Sequence, residues 1–147
     1  MLKQLLIVLS VGFFTAAHAS EPIQALEEFH AALALGDASA ATAHLAPELT
    51  IYESGYVERS RDEYAGHHML GDMKFAKSAT SRVLKQTERR DGNMAVIWSE
   101  TETRSTVKGK DVTSLGTETA VLQKAGDSWV IVHLHWSSRK PVEVKKP

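Results

Sequence analysis

The sequence predicts an α+β domain in which helices from the first half pack on one face of a strongly curved, mostly antiparallel sheet built by the second half. Two observations carry this. Apolar residues recur at helical spacing over residues 22–35, and from residue 79 onward four long segments, 79–90, 93–107, 112–124 and 128–138, are parted by Gly-containing turns. Helices followed by strands, rather than alternating with them, place the helices on one side of the sheet. Strands this long must curve, and a curved sheet closed by helices leaves a concave pocket, the usual place for a small-molecule site.

Each element has a local cause. Residues 1–19 have the form of a secretory signal peptide: Lys3 gives a positive start, residues 5–14 an apolar core too short to span a bilayer comfortably, and Ala17-His18-Ala19 a small-x-small cleavage site. This places the mature chain in the periplasm or outside the cell, with no stable membrane anchor. Pro22 suits a first helical turn, Ile23, Leu26, Phe29 and Leu33 form an apolar stripe, and Gly36 ends it. Asp37 can cap a second, Ala-rich helix running to about Leu45, with Pro47 as its stop. A short strand at 49–53 and a return strand at 56–59 flank the Ser54-Gly55 turn. Ser60-Arg61-Asp62-Glu63 has the capping-box pattern and starts a third helix carrying Tyr64, His67, His68 and Met69. Residues 20–139 form one domain, and 140–147 a flexible tail.

Charge and composition narrow the function. Without Lys3 the chain carries 16 basic against 18 acidic residues, which gives no footing for nucleic acid, and no basic run is interleaved with aromatics. Cysteine is absent, which removes disulfides and thiol nucleophiles. No glycine-rich phosphate loop or serine nucleophile elbow is present. The last strand is apolar on both faces, so both require cover: the helices and pocket on one side, a second copy of the chain on the other. The partners expected are therefore a small hydrophobic or aromatic molecule and a homodimer mate bound through the outer face of the sheet.

The helix pair, Leu-Thr-Ile-Tyr-Glu at 49–53, Gly-Thr-Glu-Thr-Ala-Val-Leu at 116–122 and Gly-Asp-Ser-Trp-Val-Ile-Val-His-Leu-His-Trp-Ser at 126–137 resemble the SnoaL-like branch of the nuclear transport factor 2-like superfamily. The closing strand is also similar to that of the association domain of calcium/calmodulin-dependent protein kinase. The resemblance covers most of residues 22–138 and implies a cone-shaped fold. It is specific for fold and uninformative about activity, since this scaffold hosts isomerases, dehydratases, hydrolases and assembly modules. Where the kinase domain carries pocket arginines, this chain aligns Ala120 and Trp136, with Trp98 or Glu100 at a third; Tyr52-Glu53 matches a pair whose carboxylate looks toward the pocket. The resemblance thus implies an aromatic, mildly acidic cup in place of an anion site.

The ligand-binding candidates are Glu53, Tyr64, His68, Trp98, Glu100, Glu118, Leu134 and Trp136. Glu53, Glu118 and His68 are the acid–base candidates: a carboxylate in an aromatic cup has its charged form disfavoured, and histidine titrates near neutrality. The competing structural reading makes Glu100, Glu102 and Glu118 cross-strand partners of Arg82, Arg90 or Arg104. His133 and His135, two apart on the last strand, share a face opposite Leu134 and Trp136 under strict alternation. They open a metal alternative, with His67 as a further ligand to Zn²⁺ or Cu²⁺. No cofactor is the leading expectation. The leading functional expectation is an exported small-molecule-binding domain; the alternatives are an isomerase-, dehydratase- or hydrolase-like enzyme and a metal-binding protein.

Overall fold

A computed structural model describes residues 21–142; the signal-peptide assignment and the end of the tail lie outside these. The chain runs α1 (Pro22–Leu35), α2 (Ala38–Ala43), β1 (Leu45–Glu53), β2 (Tyr56–Glu58), α3 (Arg61–Gly66), α4 (Met69–Ser78), β3 (Thr80–Asp91), β4 (Met94–Val107), β5 (Lys110–Ala125) and β6 (Ser128–Arg139). The sheet order is β2-β1-β6-β5-β4-β3, so β3 to β6 form a meander and the β1–β2 hairpin joins through a parallel β1–β6 pairing. The expected helices-on-curved-sheet α+β architecture is the one observed. Among the described residues no helix is long and apolar enough to cross a membrane.

Helix boundaries follow from capping. Gly36 takes a left-handed conformation (φ 74°), and its N–H and that of Asp37 return to the carbonyls of Leu33 and Ala32, closing α1. Asp37 Oδ1 then accepts from Ala40 N–H at 2.9 Å and opens α2. Two expectations are corrected here. The second helix ends at Ala43, and Pro47 lies inside β1, where the pairing with β6 shifts register between Leu45 and Thr50; a proline is tolerated at such an irregularity because no ladder donor is required of it. The third helix breaks into two at His67 and His68, directly after Gly66, a weak helix former.

The core lies between α1 and the concave face of the sheet. Leu26, Phe29 and Leu33 are buried against a cluster that includes Ile97, Ala120, Leu122, Ile131 and Leu134. Register places Ile51, Leu134, Ala120 and Ile97 in one row across β1, β6, β5 and β4, and Glu53, Trp136, Glu118 and Ser99 in the next row on the same face. An apolar row thus gives way to a polar one, and the polar row faces the open end of the helical layer.

Strict alternation along β6 does not hold. The pairing with β5 steps from Val121–His133 to Leu122–Ile131, leaving Val132 as the extra residue of a bulge. Trp129 and Ile131 therefore point inward before it, and Leu134 and Trp136 after it; all but the half-buried Trp136 are buried. His133 and His135 lie on the outer face, but Trp129 and Ile131 do not share it with them as period-2 alternation would require. Because Phe29 is fully buried under this row, Phe29→Ala is expected to lower the unfolding free energy by about 3–5 kcal/mol. Chemical denaturation reads this directly, and a loss below about 1 kcal/mol would contradict the packing described.

Candidate functional site

The polar row opens into a cavity of about 280 Å³ lined by Ile51, Glu53, Ser54, Tyr56, Glu58, Tyr64, His68, Asp72 and Trp136. Strands β1, β2 and β6 supply one wall, and α3 with α4 supply the other. Ser60 Oγ accepts from Glu63 N–H at 3.0 Å while Glu63 Oε2 accepts from Arg59 N–H at 2.6 Å, which fixes the start of α3 and sets Tyr64 inward. Tyr64 is fully buried, and its hydroxyl donates to Asp72 Oδ2 at 2.8 Å. Burial first, and the Asp72 carboxylate second, push the Tyr64 phenol far above its ordinary value, so it stays protonated.

The carboxylates of the site have different surroundings. Glu53 and Asp72 are both pushed above the usual carboxylate range, chiefly by desolvation; for Glu53 the Asp72 charge adds to this and His68 opposes it. For Asp72 the Tyr64 hydrogen bond and His68 oppose the rise, and Glu58 adds to it. Glu58, 4% exposed, receives His68 Nδ1 on Oε1. Glu118, 9% exposed, lies behind Trp136: its Oε2 accepts from Trp136 Nε1–H at 2.6 Å and from His30 Nε2–H at 2.8 Å. Desolvation alone would raise the Glu118 pKa, but the charge and hydrogen bond of His30 with the Trp136 bond outweigh it and hold it below its ordinary value. The ring of His30, whose side chain is 45% exposed, loses charge stability by desolvation and regains more from Glu118, so its pKa is raised.

Of the residues singled out in the sequence, the fold brings Glu53, Tyr64, His68 and Trp136 together around the cavity. Leu134 is in the core beneath it, and Glu118 is the hydrogen-bonded support of Trp136. Trp98 and Glu100 are on the opposite face, where Trp98 follows Thr119, His135 and Tyr52 in the register and both residues edge a shallow groove with Lys85, Thr87 and Arg89. The cross-strand arginine contact falls to Glu102, which meets Arg82 on β3 and also Arg104 two residues along its own strand, and not to Glu118. His133 Nδ1–H donates to the Thr50 carbonyl at 2.9 Å, and Tyr52 packs edge-on against both His133 and His135. Neither belongs to a group of three converging metal-ligand side chains among the described residues; the one such group is Glu58, Glu63 and His67.

Glu58, Asp72 and His30 were not singled out by their sequence context. The spacing of His68 and Asp72, four apart and so on one helical face, was a usable signal for Asp72. Nothing local marks Glu58, which is set by the pairing Ile51–Glu58 in a three-residue strand.

This arrangement, a cone of long strands closed by helices around a polar-rimmed cavity, is that of the nuclear transport factor 2-like proteins. The profile of the calcium/calmodulin dependent protein kinase II association domain matches residues 18–140, and the chain belongs to that family. A candidate ketosteroid isomerase from Shewanella frigidimarina is 38% identical with a TM-score of 0.76, over 82% of this chain and 98% of that one. The S. rosetta CaMKII hub is 20% identical (TM-score 0.70, 80% and 93% covered). A candidate dehydratase of the NTF2-like family from Streptomyces avermitilis is 18% identical (TM-score 0.67, 82% and 93% covered). The last two likenesses define the fold alone. No curated protein sequence matches the chain.

The His30–Glu118 pair has a pH signature. The raised His30 pKa contributes stability that is complete below the ordinary value of 6.5 and is lost as pH rises through its folded value. The lowered Glu118 pKa contributes stability present above 4.5 and lost as pH falls through its folded value. The two coexist between about pH 4.5 and 6.5. The melting-temperature difference between the parent chain and His30→Ala is expected to be largest in that window and to shrink on both sides; a flat difference from pH 4 to 9 would refute the pairing.

Proposed function

We propose that the chain is an exported domain that binds a small, largely apolar or aromatic molecule in the cavity between α3–α4 and the polar end of the sheet. The observation that carries this is the cavity itself: a Trp136 ring held by Glu118, fully buried Tyr64 and Ile51 form an apolar lining, with Glu53 and Asp72 as the polar handles. A volume of about 280 Å³ is near the lower end of the range for small-molecule sites and suits a ligand of one or two rings. The amino-terminal signal-like segment supports export, with cleavage after Ala19.

A second reading, proton transfer on the bound molecule, is favoured by one observation: partial desolvation raises Glu53 toward neutrality, where a carboxylate is a better base. Glu53 would take a proton from the carbon between a carbonyl and a C=C bond of the ligand and return it to the far alkene carbon of the resulting dienolate, so that the double bond moves into conjugation with the carbonyl and Glu53 is regenerated. The likeness to a candidate ketosteroid isomerase supports this class of chemistry without naming the substrate.

Self-association through the outer face of the sheet completes the proposal. Tyr52 and Trp98 are 44% and 42% exposed on one row of the outer face, with His135 and Thr119 between them, so exposed rings stand at both ends of a row that crosses four strands. Relatives named as association and hub domains support the same reading.

Hydrophobic ring compounds are expected to quench tryptophan fluorescence saturably, and Trp136→Ala to weaken their binding at least about tenfold with the circular dichroism spectrum unchanged. If turnover accompanies binding, Glu53→Gln should reduce kcat by about 100-fold or more, and the acidic limb of the pH profile should lie above the ordinary 4.5 of a glutamate. Full activity in that variant would eliminate Glu53 as the base. Sedimentation at micromolar concentration should give a dimer that Trp98→Glu dissociates; a monomeric parent chain would exclude the outer-face interface.

A further inference from the structure

We propose that Glu58, Glu63 and His67 form a divalent-cation site at the outer edge of the cavity wall, suited to a borderline ion such as Zn²⁺. One ligand atom from each lies within 4.8 Å of the other two. The His67 Nδ1 to Glu58 Oε2 separation is 3.6 Å, close to the roughly 3.3 Å edge of a tetrahedron with metal–ligand bonds of about 2.0–2.1 Å.

An independent observation points to a ligand. The Glu58 side chain is 5% exposed, its Oε1 is satisfied by His68, and its buried Oε2 has no hydrogen-bond partner. A buried carboxylate oxygen left unpaired is costly, and here a second carboxylate, Glu63, stands beside it and adds like-charge repulsion. A dication between the two carboxylates would remove both costs at once. The His67 side chain, 65% exposed, leaves the site open to solvent for ion entry.

The local chain is built to hold these atoms. Glu63 and His67 are four apart at the end of α3, the spacing that puts two ligands on one helical face. Glu63 is further fixed by the Arg59 N–H on its Oε2, leaving its carboxylate one constrained orientation. The break after Gly66 turns His67 out of regular helix (φ −116°, ψ −74°), and both His67 and His68 bring Nδ1 to the same Glu58 carboxylate. On an unbroken helix these neighbours would diverge by about 100°. Two carboxylate oxygens and one imidazole nitrogen make a mixed donor set appropriate to Zn²⁺, with a fourth position for water. This site is distinct from the His133 and His135 alternative, and of its three ligands Glu58 alone also lines the cavity.

The test is calorimetric titration of the untagged, chelator-stripped full chain with ZnCl₂, alongside the absorption of the Co²⁺-substituted protein in the visible range. One ion per chain is expected, with d–d bands of a four-coordinate site. His67→Ala and Glu63→Gln should each weaken Zn²⁺ at least about tenfold, the lower end of what loss of a support to a metal site costs. Glutamine at 63 keeps an oxygen for the Arg59 N–H, and residue 67 is exposed, so both variants retain the fold, as thermal melting will verify. The double variant His133→Ala/His135→Ala should bind as the parent does. Absence of saturable one-to-one binding, unchanged affinity in His67→Ala, or loss only in the His133/His135 variant would each overturn the site. Ring-compound quenching of Trp136 is independent of these outcomes.

Discussion

The structure depends on placing carboxyl groups on the same concave face that buries its apolar core. Row by row, Ile51, Leu134, Ala120 and Ile97 give way to Glu53, Trp136, Glu118 and Ser99, with no change of face. Each acid there must be neutralised, hydrogen-bonded or hydrated, because an unpaired charge in a desolvated setting is unfavourable. Three solutions coexist within a few residues. Glu118 is ionised and saturated by Trp136 and His30, Glu53 and Asp72 shift toward protonation, and Glu58 shares His68 on one oxygen only. The site's chemistry is the sum of these compromises.

These compromises also order the cavity wall. Because Glu118 holds the Trp136 indole by its N–H, the ring cannot swing into the cavity or out of it without breaking a charge-assisted bond. Tyr64, tied to Asp72 and packed at 6.3 Å from Trp136 between ring centres, is fixed from the opposite side. Such preorganisation reduces the entropy lost when a ligand settles between them.

Much of this was legible in the sequence, for identifiable reasons. The capping signals at Asp37 and Ser60 and the Gly-containing turns marked elements because caps and turns are local chemistry. The α+β layering followed from helices preceding strands. Tyr64 and His68 were recognisable because each combines a chemically capable side chain with a capped helix, and Glu53 and Trp136 because the family resemblance aligns them with pocket positions. Trp98 and Glu100 were misplaced because an aromatic beside a carboxylate looks the same on either face, and only the register with Thr119, His135 and Tyr52 assigns it outward. Glu58 and His30 escaped notice since their roles come from partners 10 and 88 residues away, which no periodicity reports.

The extra residue at Val132 has a consequence for how such domains diversify. A bulge is a parity switch: on its amino-terminal side odd-numbered side chains of β6 look inward, and on its carboxyl-terminal side even-numbered ones do. Were the same residues paired with β5 without a bulge, Trp129 and Ile131 staying inward, the histidine stripe would face the cup and the tryptophan the outside; removing Val132 itself would leave every side chain on its present face. Whether the strand absorbs its extra residue as a bulge thereby decides between an aromatic and an imidazole lining, without touching the hydrophobic layer beneath. In this scaffold the pairing of one strand segment is as direct a determinant of cavity chemistry as the identity of any side chain in it.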